Sequence, residues 1–200
     1  MSLPNSYLNI DQPTTSLIKE KGTRFLGFAF PVKDEDDIQQ KLLELRELHP
    51  KATHHCYAWR LDADNYRSED DGEPTGTAGR PILGQIDRLS IVKCLVVSVR
   101  YYGGTKLGVS GLITAYKTSA KETLDQATIV KQELYCHFEL QCDYPAIHLA
   151  YQWIQEYEGE IIEQEMSETC SFKINIPLRL QEMVLNHLDS FYPVEFKAVD

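Results

Sequence analysis

Residues 14–21, polar around Leu17 and Ile18, and the more apolar 23–32 read as two strands, with Gly22 punctuating the turn between them. The pattern then changes. From Asp34 to Leu48, Ile38, Leu42, Leu43 and Leu45 fall at helical spacing, with Asp34 placed as N-cap and acids in the first turn. Thr53 to Leu61 returns to strand character, and the polar stretch 62–79 reads as a loop. Pro81 suits the first turn of a short helix ending near Leu89, where its missing N–H has no helical partner to lose. Ile91 to Tyr101 is β-branched without alternation, the pattern of a central strand covered on both faces. Leu112, Tyr116, Ala120 and Leu124 then recur every four residues and predict a long helix with one buried stripe.

A second series begins at Glu133. Strand 133–142 leads to helix 144–158, which carries Ile147, Tyr151 and Ile154 and ends with Gly159 as C-cap. Strands 160–167 and 169–176, helix 178–190 and a terminal strand 193–198 follow, giving βαββαβ, the split βαβ ferredoxin-like plan. The charge changes at the same place. Residues 1–131 carry 17 Lys+Arg against 17 Asp+Glu, and residues 132–200 carry 3 against 13, so the whole formal charge of −10 lies in the last third. An α+β chain of two domains, 1–131 and 132–200, is the reading. The acidic segment repels a phosphate backbone, which confines any nucleic-acid contact to the front domain. Its acidity also suits docking of a basic protein partner. Five cysteines (Cys56, Cys94, Cys136, Cys142, Cys170) form an odd count within strand-like stretches, as buried free thiols in a reducing compartment do. Residues 1–6 have neither the basic region nor the apolar core of a signal peptide, and no apolar run approaches the roughly 18 residues that span a bilayer. A soluble cytoplasmic protein is expected.

The residues with chemical potential gather between Asp70 and Ala120. One Gly-rich segment reads Asp70-Asp71-Gly72-Glu73-Pro74-Thr75-Gly76-Thr77-Ala78-Gly79-Arg80-Pro81. The other reads Val99-Arg100-Tyr101-Tyr102-Gly103-Gly104-Thr105-Lys106-Leu107-Gly108. Each runs toward a helix start, where free N–H groups and the helix dipole suit an anion. The second segment is not a P-loop: Gly103 and Gly108 have the right separation, but Val109 and Ser110 follow, so the lysine is missing from its place. Two readings stay open there, an anion site with Lys106 or a tight connection whose glycines supply positive φ and close packing. In the first segment, Asp70, Asp71 and Glu73 fail the calcium-loop spacing, because Arg67 falls on the first ligand position. A turn-and-cap loop with Glu73 paired to Arg80 or Arg100 fits better.

His54, His55 and Cys56 are consecutive on a strand, so His54 and Cys56 share one face and His55 takes the other. That geometry cannot give three ligands to one ion, and Cys136, His137 and Cys142 fail likewise. No metal or cofactor is expected. Cys56 as a nucleophile stands against the plainer reading of a small buried hydrophobe. Tyr101 and Tyr102, beside Arg100 and Lys106, have the makings of a base-stacking platform or simply of core and rim aromatics. Gly108-Val109-Ser110-Gly111 is one residue short of the serine-hydrolase elbow.

His54-His55-Cys56-Tyr57-Ala58, the segment Asp70 to Pro81 and the segment Val99 to Gly108 resemble the signature of the IMPACT/YigZ family, in which Asn often stands where this chain has His55. The resemblance covers the front domain in detail and the rear domain in size and element order. It implies a front domain similar to domain IV of elongation factor G and to the second domain of a small-subunit ribosomal protein, with a left-handed βαβ crossover. It implies a rear domain similar to elongation factor G domain V. Eukaryotic members carry an additional N-terminal domain and restrain a starvation-activated translation-initiation kinase by competing for its activator. This chain starts at the shared domain, so that mechanism is not expected to transfer.

The resulting expectation is a non-enzymatic binding protein linked to translation, RNA or the ribosome. Arg80, Arg100 and Lys106 would meet phosphate, Tyr101 or Tyr102 a base, and Gly103, Gly104, Thr105 and Gly108 would form the turn. Asp70, Asp71, Glu73, Thr77 and Gly79 would shape the companion loop. An enzyme acting on a phosphorylated small molecule and a regulator docking through the acidic rear domain are the alternatives.

Overall fold

The computed structural model describes residues 5–187 and 191–199. It divides into two compact units, Leu8–Lys131 and Gln132–Asp200, the latter joined by the first residues up to Tyr7. Among the described residues no helix is long and apolar enough to cross a membrane.

In the front unit, β2 (Thr14–Glu20), β3 (Thr23–Pro31), β4 (His54–Arg60), β5 (Tyr66–Glu69) and β6 (Cys94–Tyr101) form one antiparallel sheet in the order β2-β3-β6-β4-β5. Helix α1 (Glu35–Leu48) covers one face, and α2 (Gly79–Leu89) with α3 (Gly108–Leu124) the other. The central strand β6 explains its unbroken apolar run. Cys94 and Val96 enter the core beneath α2 and α3, and Leu95, Val97 and Val99 enter the core beneath α1. Each fully buried aliphatic side chain there contributes about 1.5–3 kcal/mol. Leu112, Tyr116, Ala120 and Leu124 form the buried stripe of α3. Asp34 caps α1, accepting the Asp37 N–H at 2.9 Å.

Three short strands lie outside the sequence expectation. β1 (Ser6–Ile10) pairs with β7 (Ile129–Glu133) as a separate ribbon. The expected strand 133–142 is therefore two, β7 and β8 (Tyr135–Cys142). β5 lies within the stretch read as loop, its four polar residues held by pairing with β4. The strand expected from Ile91 starts instead at Cys94, because Ile91 bridges Leu8 and Lys93 takes φ 53°.

The rear unit follows β8, α4 (Ile147–Glu156), β9 (Glu160–Met166), β10 (Cys170–Pro177), α5 (Gln181–His187) and β11 (Glu195–Val199). Its antiparallel sheet has the order β11-β8-β10-β9, the strand arrangement of the split βαβ plan. Phe138, Leu140, Phe172 and Ile174 pack with Ala150, Ile154 and Val184. The helix expected over 144–158 opens as a 3-10 turn at Tyr144–Ala146. That over 178–190 opens at Leu178–Leu180, and its residues 188–190 lie outside the described residues. Gly159 is not the left-handed C-cap expected of it. Glu158 takes the positive φ (52°), and the Gly159 N–H donates to the Ile154 carbonyl at 2.6 Å.

Candidate functional site

The first Gly-rich loop is organised by its own carboxylates. Asp70 Oδ2 accepts the Gly76 N–H at 2.7 Å, and Oδ1 accepts those of Ala78 and Gly79 at 2.9 Å each. One side chain thus closes the loop and caps α2. Burial raises the Asp70 carboxyl, but these three donors, with Arg80 nearby, outweigh it and hold the group below its ordinary range. Asp71 accepts the His55 N–H at 2.6 Å and Arg46 Nη2 at 2.9 Å. The turn beneath needs left-handed backbone at both Asp71 (φ 44°) and Gly72 (φ 85°), conformations that Asp and Gly tolerate best. Thr77 is buried and donates to the Pro74 carbonyl at 2.7 Å.

Glu73 points inward and is 4% exposed. Its Oε1 accepts from Arg100 Nη1 at 2.5 Å and from Tyr116 Oη at 2.7 Å, while His54 Nε2 lies 3.7 Å away. Behind it Cys56 Sγ lies 3.1 Å from the Asp70 carbonyl oxygen and 3.2 Å from Tyr116 Oη, two acceptors for its one proton. Strand alternation puts His54, Cys56, Ser98 and Arg100 on the α2/α3 face of neighbouring strands, so the cluster follows from register. Burial first, and the Cys56–Glu73 surroundings second, push the Tyr116 phenol far up. The Cys56 thiol rises with burial too, despite its bond to Tyr116, so it stays protonated at neutral pH and is a poor nucleophile. Of the two arginine partners open to Glu73 in the sequence, the fold selects Arg100; Arg80 stands exposed beside Gly76.

The second loop has the opposite character. Gly103, Gly104, Thr105, Lys106 and Gly108 are all exposed, and Tyr102 is 46% exposed over the Arg100 guanidinium, 5.6 Å from ring centre to Cζ. Tyr101 turns to the α1 face, where its Oη meets His49 Nδ1 at 3.0 Å and Arg24 lies over its ring. The two tyrosines therefore do not form one platform. The glycines have structural reasons of their own. A Cβ at Gly103 would lie 2.0 Å from the Gly22 carbonyl carbon, so the β2–β3 turn and this loop touch backbone to backbone. Gly104 and Gly108 carry positive φ with open space beside them.

This apposition brings together residues that the sequence reading did not group. Lys19, Lys21 and Arg24 flank the Gly22 turn and are exposed, and Lys106 stands on the loop it touches. Lys19, Lys21, Leu107, Ser110 and Gly111 line an open groove of about 340 Å³, with Glu20 as its acid. The first turn of α3 has no side-chain cap and no acid. The available signal was Gly22 set among three cations, but only the Gly103 contact joins it to Lys106. Among the described residues, no group of three or more His, Cys, Asp and Glu is placed to hold a metal ion.

A three-layer unit whose motif residues meet at one end of β4 and β6, followed by a βαββαβ unit, defines a two-unit α+β class. The chain belongs to the IMPACT family: the Impact N-terminal domain matches residues 21–124. The IMPACT family member YigZ of Escherichia coli is 30% identical over 176 residues, covering 86% of each chain. An IMPACT family member of Haemophilus influenzae is 32% identical, covering 80% of this chain and 77% of that one. Rat Protein IMPACT is 34% identical over 98 residues, 46% of this chain and 30% of its own. A crystal structure described as a hypothetical protein superposes over 99% of both chains with 28% identity and a TM-score of 0.75.

Proposed function

We propose that this chain is a non-enzymatic binding protein connected with translation, which meets RNA or the ribosome through the front unit. The observation that carries the reading is the exposed, acid-poor junction of the Gly22 turn with Gly103–Gly108, flanked by an uncapped α3 N-terminus. Exposed cations and free N–H groups suit phosphate, and a half-exposed aromatic beside them suits a base. Lys106, Lys21 and Lys19 would contact phosphate and Tyr102 a base, with Arg80 at the neighbouring loop. Arg100 acts from below, holding Tyr102 and Glu73 in place. Membership of the IMPACT family, whose eukaryotic members the resemblance describes as restraining a translation-initiation kinase, supports a connection with translation at the level of the family and not that mechanism. The similarity to elongation factor G domains IV and V belongs to the same proposal, and the β11-β8-β10-β9 order supports it for the rear unit.

The enzymatic alternative loses its strongest groups. Cys56 and Tyr116 are held protonated, and Asp70, Asp71 and Glu73 are each engaged by internal donors. Retardation of ribosomal RNA and co-sedimentation with ribosomes, both weakening steeply as salt rises, are the expected results for the purified chain. No retardation and no co-sedimentation at low salt would remove the reading.

A further inference from the structure

The five thiols are not equivalent. Cys56 lies opposite Ser98, Cys94 opposite Pro31 and Arg60, and Cys136 opposite Ile176, whereas Cys142 lies directly opposite Cys170. Opposed residues of an antiparallel ladder have Cα atoms about 4.5 or 5.5 Å apart, and both values fall within the roughly 4.4–6.8 Å that a disulfide spans. Both side chains enter the same core, beside Phe138, Leu140 and Phe172, and the Cys170 thiol is near enough to act on the titration of Cys142. We propose that Cys142 and Cys170 are a covalent modification site of the rear unit, where exchange with a low-molecular-weight disulfide such as oxidised glutathione closes a reversible cross-strand disulfide.

The position in the sheet makes the exchange feasible. Cys142 ends β8, and Cys170 begins β10 just after the turn in which the Ser167 N–H donates to the Thr169 carbonyl at 3.1 Å. Strand ends open locally before the whole unit unfolds. Cys142, 5% exposed against 0% for Cys170, is reached first. Its thiolate attacks one glutathione sulfur, forms a mixed disulfide and expels the other glutathione as thiolate, which takes up a proton. The Cys170 thiolate then attacks the Cys142 sulfur and releases the second glutathione. Two protein thiols are oxidised, and one glutathione disulfide is reduced to two thiols. Burial, followed by the neighbouring Cys170 thiol, raises the Cys142 thiol, so the exchange accelerates with rising pH. Once closed, the bond encloses α4 and β9 and restricts the unfolded chain.

The test is incubation of the full chain with oxidised glutathione, followed by alkylation, intact mass and peptide mapping. The expected result is three alkyl groups instead of five, the underlying chain being two hydrogens lighter, and one cross-linked peptide pair holding Cys142 and Cys170. Cys56, Cys94 and Cys136 remain alkylated, dithiothreitol reverses the change, and Tm rises by several degrees only while the bond is present. Cys142→Ser and Cys170→Ser each abolish the cross-link. A bond between other cysteines overturns the proposal, as does a stable glutathione adduct on Cys142 without the internal bond. So does a folded chain whose two thiols stay free while the same chain in urea oxidises.

Discussion

The two Gly-rich loops both lead into helices, yet their helix N-termini are treated in opposite ways. At α2 the loop's own Asp70 fills the position of an anion, bonding three backbone N–H groups. At α3 no side chain caps the first turn, and the charges lining the adjoining groove are Lys19, Lys21 and Glu20. The free donors of a helix start need an acceptor, from the chain, from water or from a ligand. The first loop is built into the fold, and at the second no side chain takes the corresponding place. Acids and cations that look like one mixed site in the sequence are sorted by the fold into a buried frame and an open rim.

Removing the buried frame should have the largest effect. Glu73→Ala leaves Arg100 buried and unpaired, and the expected loss is about 3–5 kcal/mol in urea unfolding. A loss below 1 kcal/mol would mean that the first loop is not structural. Asp70→Ala removes three acceptor contacts and the α2 cap, for an expected loss of about 1–3 kcal/mol. Because its folded carboxyl lies below the ordinary value of 3.8, its stabilisation is complete above that value and disappears as pH falls through the lower folded pKa. Asp70→Asn should therefore flatten the acid limb of the stability profile.

A smaller effect comes from the α1 face. Burial lowers the His49 imidazole, and burial with Arg46 and His49 nearby lowers that of His55. The unfolded chain takes up these protons first, so stability is full above the ordinary value of 6.5 and declines as pH drops below it. Urea midpoints at pH 7.5 and 5.5 should differ in that direction, and His49→Gln with His55→Gln should narrow the difference. An unchanged gap would place the pH dependence at groups other than these two histidines.

Much of this contrast is legible in the sequence at the level of elements. The apolar run Leu95–Val99 and the four-residue repeat Leu112–Leu124 announce the strand and helix that carry Arg100 and Tyr116, since burial imposes those periods directly. The sequence leaves Glu73 two partners, Arg80 and Arg100, and the choice of Arg100 depends on how the loop folds back over the end of β6. Other features depend on residues far apart in the chain. β5 is four polar residues held by β4. The opposite facing of Tyr101 and Tyr102 follows from the end of β6. The junction of Lys21–Gly22 with Gly103 needs a backbone contact that neither segment encodes by itself. The glycine excess of the second loop, suggestive of an anion site in sequence, is accounted for at Gly103, Gly104 and Gly108 by packing and positive φ.

The central claim is that stability and binding reside in different loops, and the Lys21→Glu/Lys106→Glu double variant tests it most directly. Its ribosomal RNA affinity is measured across a salt series beside its urea midpoint. The prediction is weaker binding with a salt slope about one to two units shallower, at an unchanged midpoint. Wild-type affinity and slope in the double variant would contradict the account.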